Sequence, residues 1–455
     1  MNNKLLPPDI EAATQHLGRY ISTSRYEDLP STVVHEGIRA LVNLMGCAMG
    51  GANHESVDMA LGGLLPFAGA PQASIAGRTE RTDCLLAALV NGISSHVLDF
   101  DDTHPEILLH PSGPIAAALF PLAEFRRASG RDFLNAFVVG VEVECRVARA
   151  IQPSHYENGW HMTGTAGIFG AAAACARLLG LDATQCTWAL GIAATQSAGL
   201  REMFGSMCKS LHVGRAAQGG LTAALLAQRG FTSSNTALEG TRGFIHVLST
   251  TPTVAALTAN LNEDWELMRN TYKPYACGLV IHPSLDGCIQ LRTAHGLRAE
   301  DIDRIELVVH PLALELTGKR TPSSGLEGKF SIFHGAAIAI IDGAGGEVQF
   351  SDARVTSPDV VALRTKVQAH VDPAMGQEQA AVTVWCKNGA RHSLLVEHCA
   401  GSLGRPLSDS EINNKFLGLS EPVLGQGAHT ALAALRELPN FHDAGQVALH
   451  CAITA

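Results

Sequence analysis

Between residues 10 and 265 the sequence returns again and again to Ala- and Gly-rich stretches whose apolar residues recur at helical spacing. They fall near 32–50, 83–98, 113–129, 132–150, 163–180, 183–199 and 212–230. Glycine accounts for 45 of 455 residues and aromatics for only 5%, so much of the core has to be small-residue packing. Helices built this way can approach closely. Gly130, Pro153 and Gly180 separate the stretches, and Asp132 and Asp182 stand where helix caps are expected. Strand signals are scarce here, and a large all-helical domain is predicted.

The pattern changes after Trp265. The segment 304–316, RIELVVHPLALEL, has strand-like β-branched content, and AVTVWCKNGARHSLLVEH supplies two strand-like runs around Asn388 and Gly389, a hairpin signal. Helical stretches at 283–294 and 331–342 interrupt the strands. After residue 403, SDSEINNKF and AHTALAALREL read as helices again, the first opened by a capping box from Ser408 to Glu411. The expected fold is mainly α: a helical domain built from both chain ends, 1–268 and 404–455, with an α+β domain, 269–403, inserted between them.

Charge and composition exclude several functions. With 33 Lys and Arg against 43 Asp and Glu the net charge is −10, so there is no global positive field and a nucleic-acid partner is not expected. At 46% apolar and 17% charged the chain can bury large cores. The 11 cysteines are scattered without CxxC spacing, which leaves a zinc ribbon or iron–sulfur signature unsupported. Most, like Cys175, read as buried reduced thiols suited to a reducing compartment. The opening MNNKLLPPDIEAATQHL has neither a signal-peptide core nor a transit-peptide pattern. No run of 18 apolar residues offers a membrane span. A soluble cytoplasmic protein is expected.

Four clusters can carry chemistry. The densest, SSHVLDFDDTHPEILLHPSG, holds His96, Asp99, Asp101, Asp102, Thr103, His104 and His110 between two apolar helices, more acids and imidazoles than capping requires. Two readings stand: a metal site, or metal-free acid–base chemistry in which His110 moves a proton while Asp99 and Thr103 hold polar partners. In GWHMTGTAGIFGAAAA, His161 precedes a helix start, and Gly164, Gly167 and Gly170 suit tight helix packing better than dinucleotide binding. In FGSMCKSLHVGRAAQGG, Lys209 and His212 share a helical face. In YKPYACGLVIHPSLDG, Pro274 fixes Lys273, and His282 stands four residues before Asp286, a spacing that lets the carboxylate orient the imidazole. Lysines and histidines gathered in an acidic protein make a local positive pocket suited to a small di- or tricarboxylate.

These motifs carry a family resemblance. DFDDTHPEILLHPSG, GWHMTGTAGIFGAAAACARLLGL, MCKSLHVGRAAQGG, KPYACGLVIHPSLDG, GKFSIFHGAAIAIIDG and RPLSDSEINNKF, in that order, resemble the MmgE/PrpD family, which includes 2-methylcitrate dehydratase, cis-aconitate decarboxylase and iminodisuccinate epimerase. The resemblance implies that the inserted α+β domain is a lid, that the chain forms a homodimer, and that the active site lies between the domains and needs no cofactor or metal. It places the family's pocket Asp and Thr on Asp99 and Thr103, its HPS histidine on His110, and its histidine before the small-residue helix on His161. Its two lysines fall on Lys209 and Lys273, and its lid-side histidine on His282. There is one departure. Where several decarboxylase and dehydratase members have Tyr three residues after the Ser of the KFS motif, this chain has His334, a candidate specificity residue with different donor capacity.

The leading expectation is a metal-independent hydro-lyase on a small polycarboxylate. In it His161 or His110 transfers the proton beside a carboxylate, and Lys209 and Lys273 neutralise the acid groups. An epimerase or a decarboxylase shares much of this machinery. A metal-dependent hydrolase and a scaffold without catalysis are more distant alternatives.

Overall fold

The computed structural model describes residues 12–453 and is mainly α. The opening segment read above for targeting signals lies largely outside the described residues, as does the very end of the second helical stretch of the expected domain. Among the described residues the helices of eleven or more residues are α1 (Ala13–Thr23), α2 (Ser31–Gly51), α3 (Cys84–His96), α4 (Ser112–Arg126) and α5 (Gly130–Ile151). They continue with α6 (Met162–Leu178), α7 (Ala183–Ala194), α8 (Cys208–Gln228), α9 (His282–His295) and α10 (Asp409–Leu424). Asp83 caps α3 by accepting from the backbone N–H groups of Leu85 and Leu86, and Asp182 with Gln185 forms a capping box on α7. Asp132, expected as a cap, is the third residue of α5. The cap is Ser129, whose hydroxyl accepts from the Asp132 N–H and donates to the Asp132 carboxylate.

Small residues set the helix spacing. A Cβ on Gly92 of α3 would stand 2.5 Å from the Cα of Gly214 of α8, and one on Gly167 of α6 would stand 2.5 Å from the Pro114 ring of α4. The glycines of the GxxGxxG run therefore permit close packing, as their spacing predicts. Gly164 faces the Ala198 carbonyl, Gly167 faces Pro114, and Gly170 faces Glu144.

Strands β1 (Ile302–Val309), β2 (Val367–Val371), β3 (Ala380–Cys386) and β4 (Arg391–Val396) form a sheet in the order β2-β1-β3-β4, with β1 and β2 parallel and the other pairs antiparallel. Burial alternates along β3, and its Val382 packs on Gly287 of α9. The β3–β4 hairpin turns through Asn388 and Gly389, the latter at φ +88°. The strand expected over 304–316 ends at Val309. Pro311 cannot donate to a ladder, and it instead opens a short helix, Pro311–Thr317, capped by the His310 ring.

The two larger apolar cores divide between these parts. One draws on residues 17–272 and again on 407–451, so the end of the chain returns to the first helices, where Phe416 of α10 meets Gly46 of α2. The other is built from residues 275–386 together with Cys47, Val97, Leu98 and Phe100. The capping box at Ser408 and Glu411 opens α10. All eleven cysteines are unpaired, and among the described residues no helix is long and apolar enough to cross a membrane.

Candidate active site

The site begins where α3 stops. The Asp99 N–H donates to the His96 carbonyl (2.9 Å), and residue 99 takes φ +49°, a left-handed conformation that disfavours a side chain by roughly 1–2 kcal/mol. Two buried or half-buried lysines hold this turn. Lys329 Nζ donates to the carbonyls of Leu98 (2.7 Å) and Ala276 (2.9 Å), and Lys415 Nζ donates to those of Phe100 (2.6 Å) and Lys273 (2.9 Å). The residues on either side of Asp99 are thus tied to the segment 273–276, one by a lysine of the second core and the other by a lysine of α10. A backbone pair between Thr103 and Thr271 extends the same join.

This join places three charges together. Asp99 Oδ1 accepts from Lys209 Nζ of α8 at 2.5 Å and from Lys273 Nζ at 3.1 Å, and Lys273 also donates to the Asp99 carbonyl (2.9 Å). All three side chains are buried. Burial pushes the Asp99 carboxyl up, but Lys209 and Lys273 outweigh it and hold the group well below the usual carboxylate range. Burial pulls the Lys209 ammonium down from its ordinary value, with Asp99 opposing the shift. One carboxylate faces two ammonium groups here, and the second carboxylate nearby, Asp101, is turned to His96 and His110.

Around this centre stand imidazoles. His110 Nδ1–H donates to the Asp102 carbonyl (2.9 Å), with Thr103 Oγ1 at 3.3 Å, which leaves the Nε2 lone pair free, 3.9 Å from Asp99 Oδ1. Burial, aided by Lys273, His96 and Lys209, holds His110 well below its ordinary pKa, so the ring is neutral. Asp101 accepts from His96 Nδ1 at 2.8 Å and lies 3.5 Å from His110 Nδ1; burial raises its pKa, but His96 and His110 outweigh that and lower it. Asp102 accepts from Ser112 (2.6 Å) and Asn270 (2.7 Å), yet burial and then Asp101 push it up to about 6. His161, at the start of α6, lies 2.9 Å from His212, Nδ1 to Nδ1, with Phe204 against its edge. Burial, then Lys209 and His96, hold His161 well below its ordinary pKa, and burial brings His212 down to about 4.

Asp99, Thr103, His110, His161, Lys209 and Lys273, the residues expected from four separate motifs, line one cavity of about 60 Å³. Tyr156, Phe204, Phe330, Leu279 and Thr317 complete its wall. Tyr156, Leu108, Leu279 and Val280 also line a wider groove of about 680 Å³ leading away from it, with Arg201 and Glu315 paired at 2.7 Å on its side. Phe204 and Phe330 stack on each other with centroids 5.8 Å apart, and Lys209 Nζ stands 5.4 and 5.6 Å from them.

Two expected substrate-binding residues do not line this cavity. His282 is fully buried at the start of α9 and its Nε2 faces the Cys277 carbonyl at 3.3 Å. Asp286, expected to orient it, instead accepts from Tyr275, Gln290, Arg405 and the Ala400 N–H. His334 lies within the second core, its Nε2–H donating to the Gln349 carbonyl (2.9 Å), and burial lowers it to about 4. Its place beside the reaction is not supported by this geometry. His104 bonds Glu266 at 2.9 Å, a structural pair away from the cavity.

Ligand atoms of His96, Asp99, Asp101 and His110 lie within 4.8 Å of one another, the geometry a metal ion would need. The donor set fits poorly. Asp99 already faces two ammonium groups and Asp101 takes the His96 N–H, so a divalent ion would meet Lys209 and Lys273 at the same oxygen.

The model of the MmgE/PrpD N-terminal domain matches residues 15–256, and that of the MmgE/PrpD C-terminal domain matches residues 275–438. Human cis-aconitate decarboxylase is 26% identical over 451 residues, covering 95% of this chain and 92% of its own length. The mouse cis-aconitate decarboxylase is 25% identical over 455 residues, with 95% and 92% covered. That of Aspergillus terreus (strain NIH 2624 / FGSC A1156) is 26% identical over 434 residues, with 90% and 86% covered.

Proposed function

We propose that this chain, which belongs to the MmgE/PrpD family, is a lyase that moves a proton at a carbon next to a carboxylate of a small polycarboxylate. The observation that carries this reading is the convergence of Lys209 and Lys273 on one buried carboxylate beside two neutral histidines in a single cavity. Lys209 and Lys273 receive a substrate carboxylate, and in a buried site such a pair stabilises the charge that develops there far more than it would in water. His110, with its Nδ1–H fixed on a carbonyl, offers Nε2 as a base. His161 is the proton donor.

The relatives' names support loss of CO2 as the step. In a cis-aconitate-type acid the C–C bond to one carboxylate breaks and its electron pair shifts through the neighbouring double bond. The carbon next to a remaining carboxylate then takes a proton, here from His161 Nε2. Loss of water from a 2-methylcitrate-like substrate is the second reading, favoured by the presence of two histidines rather than one: His110 removes the proton and His161 protonates the departing hydroxyl. An epimerase would use both histidines without a leaving group. The inserted lid domain, 269–403, and the homodimer belong to the same proposal through the family.

The test is proton NMR of chelator-treated protein in D2O with cis-aconitate, 2-methylcitrate, citrate and iminodisuccinate in separate tubes. New vinyl signals with deuterium next to a carboxylate from cis-aconitate are expected, and His161→Ala lowers that turnover by roughly 10² or more. Deuterium uptake without elimination would favour the epimerase. Four unchanged spectra, or a folded His161→Ala variant with normal turnover, would overturn the assignment.

A further inference from the structure

We propose that His161 and His212 form one proton relay, in which His212 is the positioning residue through which His161 exchanges its proton with solvent. This deepens the lyase reading and rests on it for the role of His161.

The two Nδ1 atoms are 2.9 Å apart, with ring centroids at 5.1 Å and planes at 50°. Two imidazole nitrogens at that distance share one proton, so one ring donates and the other accepts. The rings differ in environment. His161 is buried at the cavity wall, whereas His212, two residues before Gly214 on α8, is half-buried and does not line the cavity. Among the described residues neither Nε2 is hydrogen-bonded within the protein, and neither ring is paired with a carboxylate. The backbone holds the pair in place: the His161 N–H donates to the Gly199 carbonyl (3.0 Å), and Gly164 and Gly199 leave only van der Waals room around the His212 side chain.

The charged and titratable groups facing the pair are Lys209 on α8, His96 at the end of α3 and His110, while the Asp99 carboxylate of the same cavity is engaged by Lys209 and Lys273. An imidazolium here has no carboxylate bonded to it, and burial, then Lys209, disfavours it. His161 Nδ1 faces His212 and not solvent, so its proton is replaced through that ring, and a concerted transfer charges neither imidazole. Water delivers a proton to His212 Nε2 as the His212 Nδ1–H passes to His161 Nδ1 and the His161 Nε2–H passes to the substrate carbon. The three transfers break three bonds to hydrogen and form three, and both rings end neutral with their tautomers exchanged. Run in the opposite direction, the same pair removes a proton from substrate and releases it to water.

Two readouts separate the relay from the reaction it serves. In histidine-15N-labelled full-length protein without substrate, a through-hydrogen-bond coupling between the two Nδ1 atoms is expected, and it disappears in His212→Gln. Its absence from the wild type would overturn the relay whatever the enzyme does with acids. With cis-aconitate as the probe, His212→Ala is expected to lower kcat at least tenfold with KM changed less than threefold, to enlarge the solvent deuterium isotope effect, and to regain turnover with added imidazole. A folded His212→Ala or His212→Gln variant that keeps the wild-type kcat and isotope effect refutes the relay while His161→Ala still judges the lyase reading. Loss of activity through KM alone, without imidazole recovery, refutes it equally.

Discussion

Replacing Gly92 with alanine changes no residue of the cavity, yet it should disturb the cavity's geometry. The new methyl would stand 2.5 Å from the Cα of Gly214 and 2.8 Å from its nitrogen, whereas ordinary contact begins at 3.4 Å. Both obstructing atoms belong to a helix backbone, so no rotamer change relieves them, and α3 and α8 must part by roughly 1 Å. Overpacking of this kind costs about 1–3 kcal/mol. The same displacement acts on the chemistry, because α3 ends at His96 and the Asp99 turn, whereas Lys209 and His212 lie within two turns of Gly214. The Lys209–Asp99 contact of 2.5 Å would lengthen towards a distance at which a hydrogen bond no longer forms. A misplacement of this size is worth about 10² in turnover. Urea denaturation gives the first quantity and cis-aconitate turnover the second. Gly62→Ala is the control, since nothing stands within 4 Å of a Cβ at that helical position, and alanine there should be neutral or stabilising by up to about 1 kcal/mol. Gly92→Ala with wild-type stability and turnover within twofold of the parent would refute the claim that backbone contact sets the site's dimensions.

Asp99→Asn leaves two buried ammonium groups without their anion and should lower stability by about 3–5 kcal/mol at pH 7, read by urea denaturation. Because the folded state lowers the Asp99 pKa, its contribution is present above the unfolded carboxylate value near 3.9 and lost as pH falls below it; the gap between variant and parent should therefore close only in acid. Asp102 has the opposite sign. Raised to about 6, it binds its proton more tightly when folded, which adds stability below about pH 4 that is lost as pH rises to 6. Asp102→Asn should flatten the parent's stability–pH curve across that window. Lys415→Met removes the donor from the Phe100 and Lys273 carbonyls and should cost about 2–5 kcal/mol, with Lys415→Arg recovering part of it in the same denaturation assay.

The long helices were legible because their periodicity and caps are local. Asp182 with Gln185 and Ser408 with Glu411 could be read three residues at a time. Asp132 is not the cap because Ser129, three positions earlier, satisfies the same helix end, and the strand expected over 304–316 stops at Val309 because Pro311 carries more weight than the apolar residues after it. In the site, the six polar residues of the cavity stood out as charges among apolar stretches. Lys329 and Lys415 did not, although both lie in the motifs that carry the resemblance. Besides Glu347 and Asn43, their partners are main-chain carbonyls more than 50 residues away, and a carbonyl leaves no mark in a sequence. Phe204, Phe330 and Tyr156 were equally silent, since an aromatic wall has no spacing of its own. For His282 and Asp286 the spacing allows a contact, but four competing donors reach Asp286.

The two lysines that hold the Asp99 turn come from positions 329 and 415 of 455. Helices α3 to α8 emerge from the ribosome first and can pack through their glycine contacts, but residues 98–100 then have no partner for two of their carbonyls and no tie to residues 273–276. Synthesis at about 5–20 residues per second separates the emergence of Asp99 from that of Lys415 by roughly 15–60 seconds. During that interval the growing chain carries an immature site, its two clusters of charge unjoined. Only when α10 docks is the pocket complete, so a helix made long after the Asp99 turn decides when the charges of the site are joined.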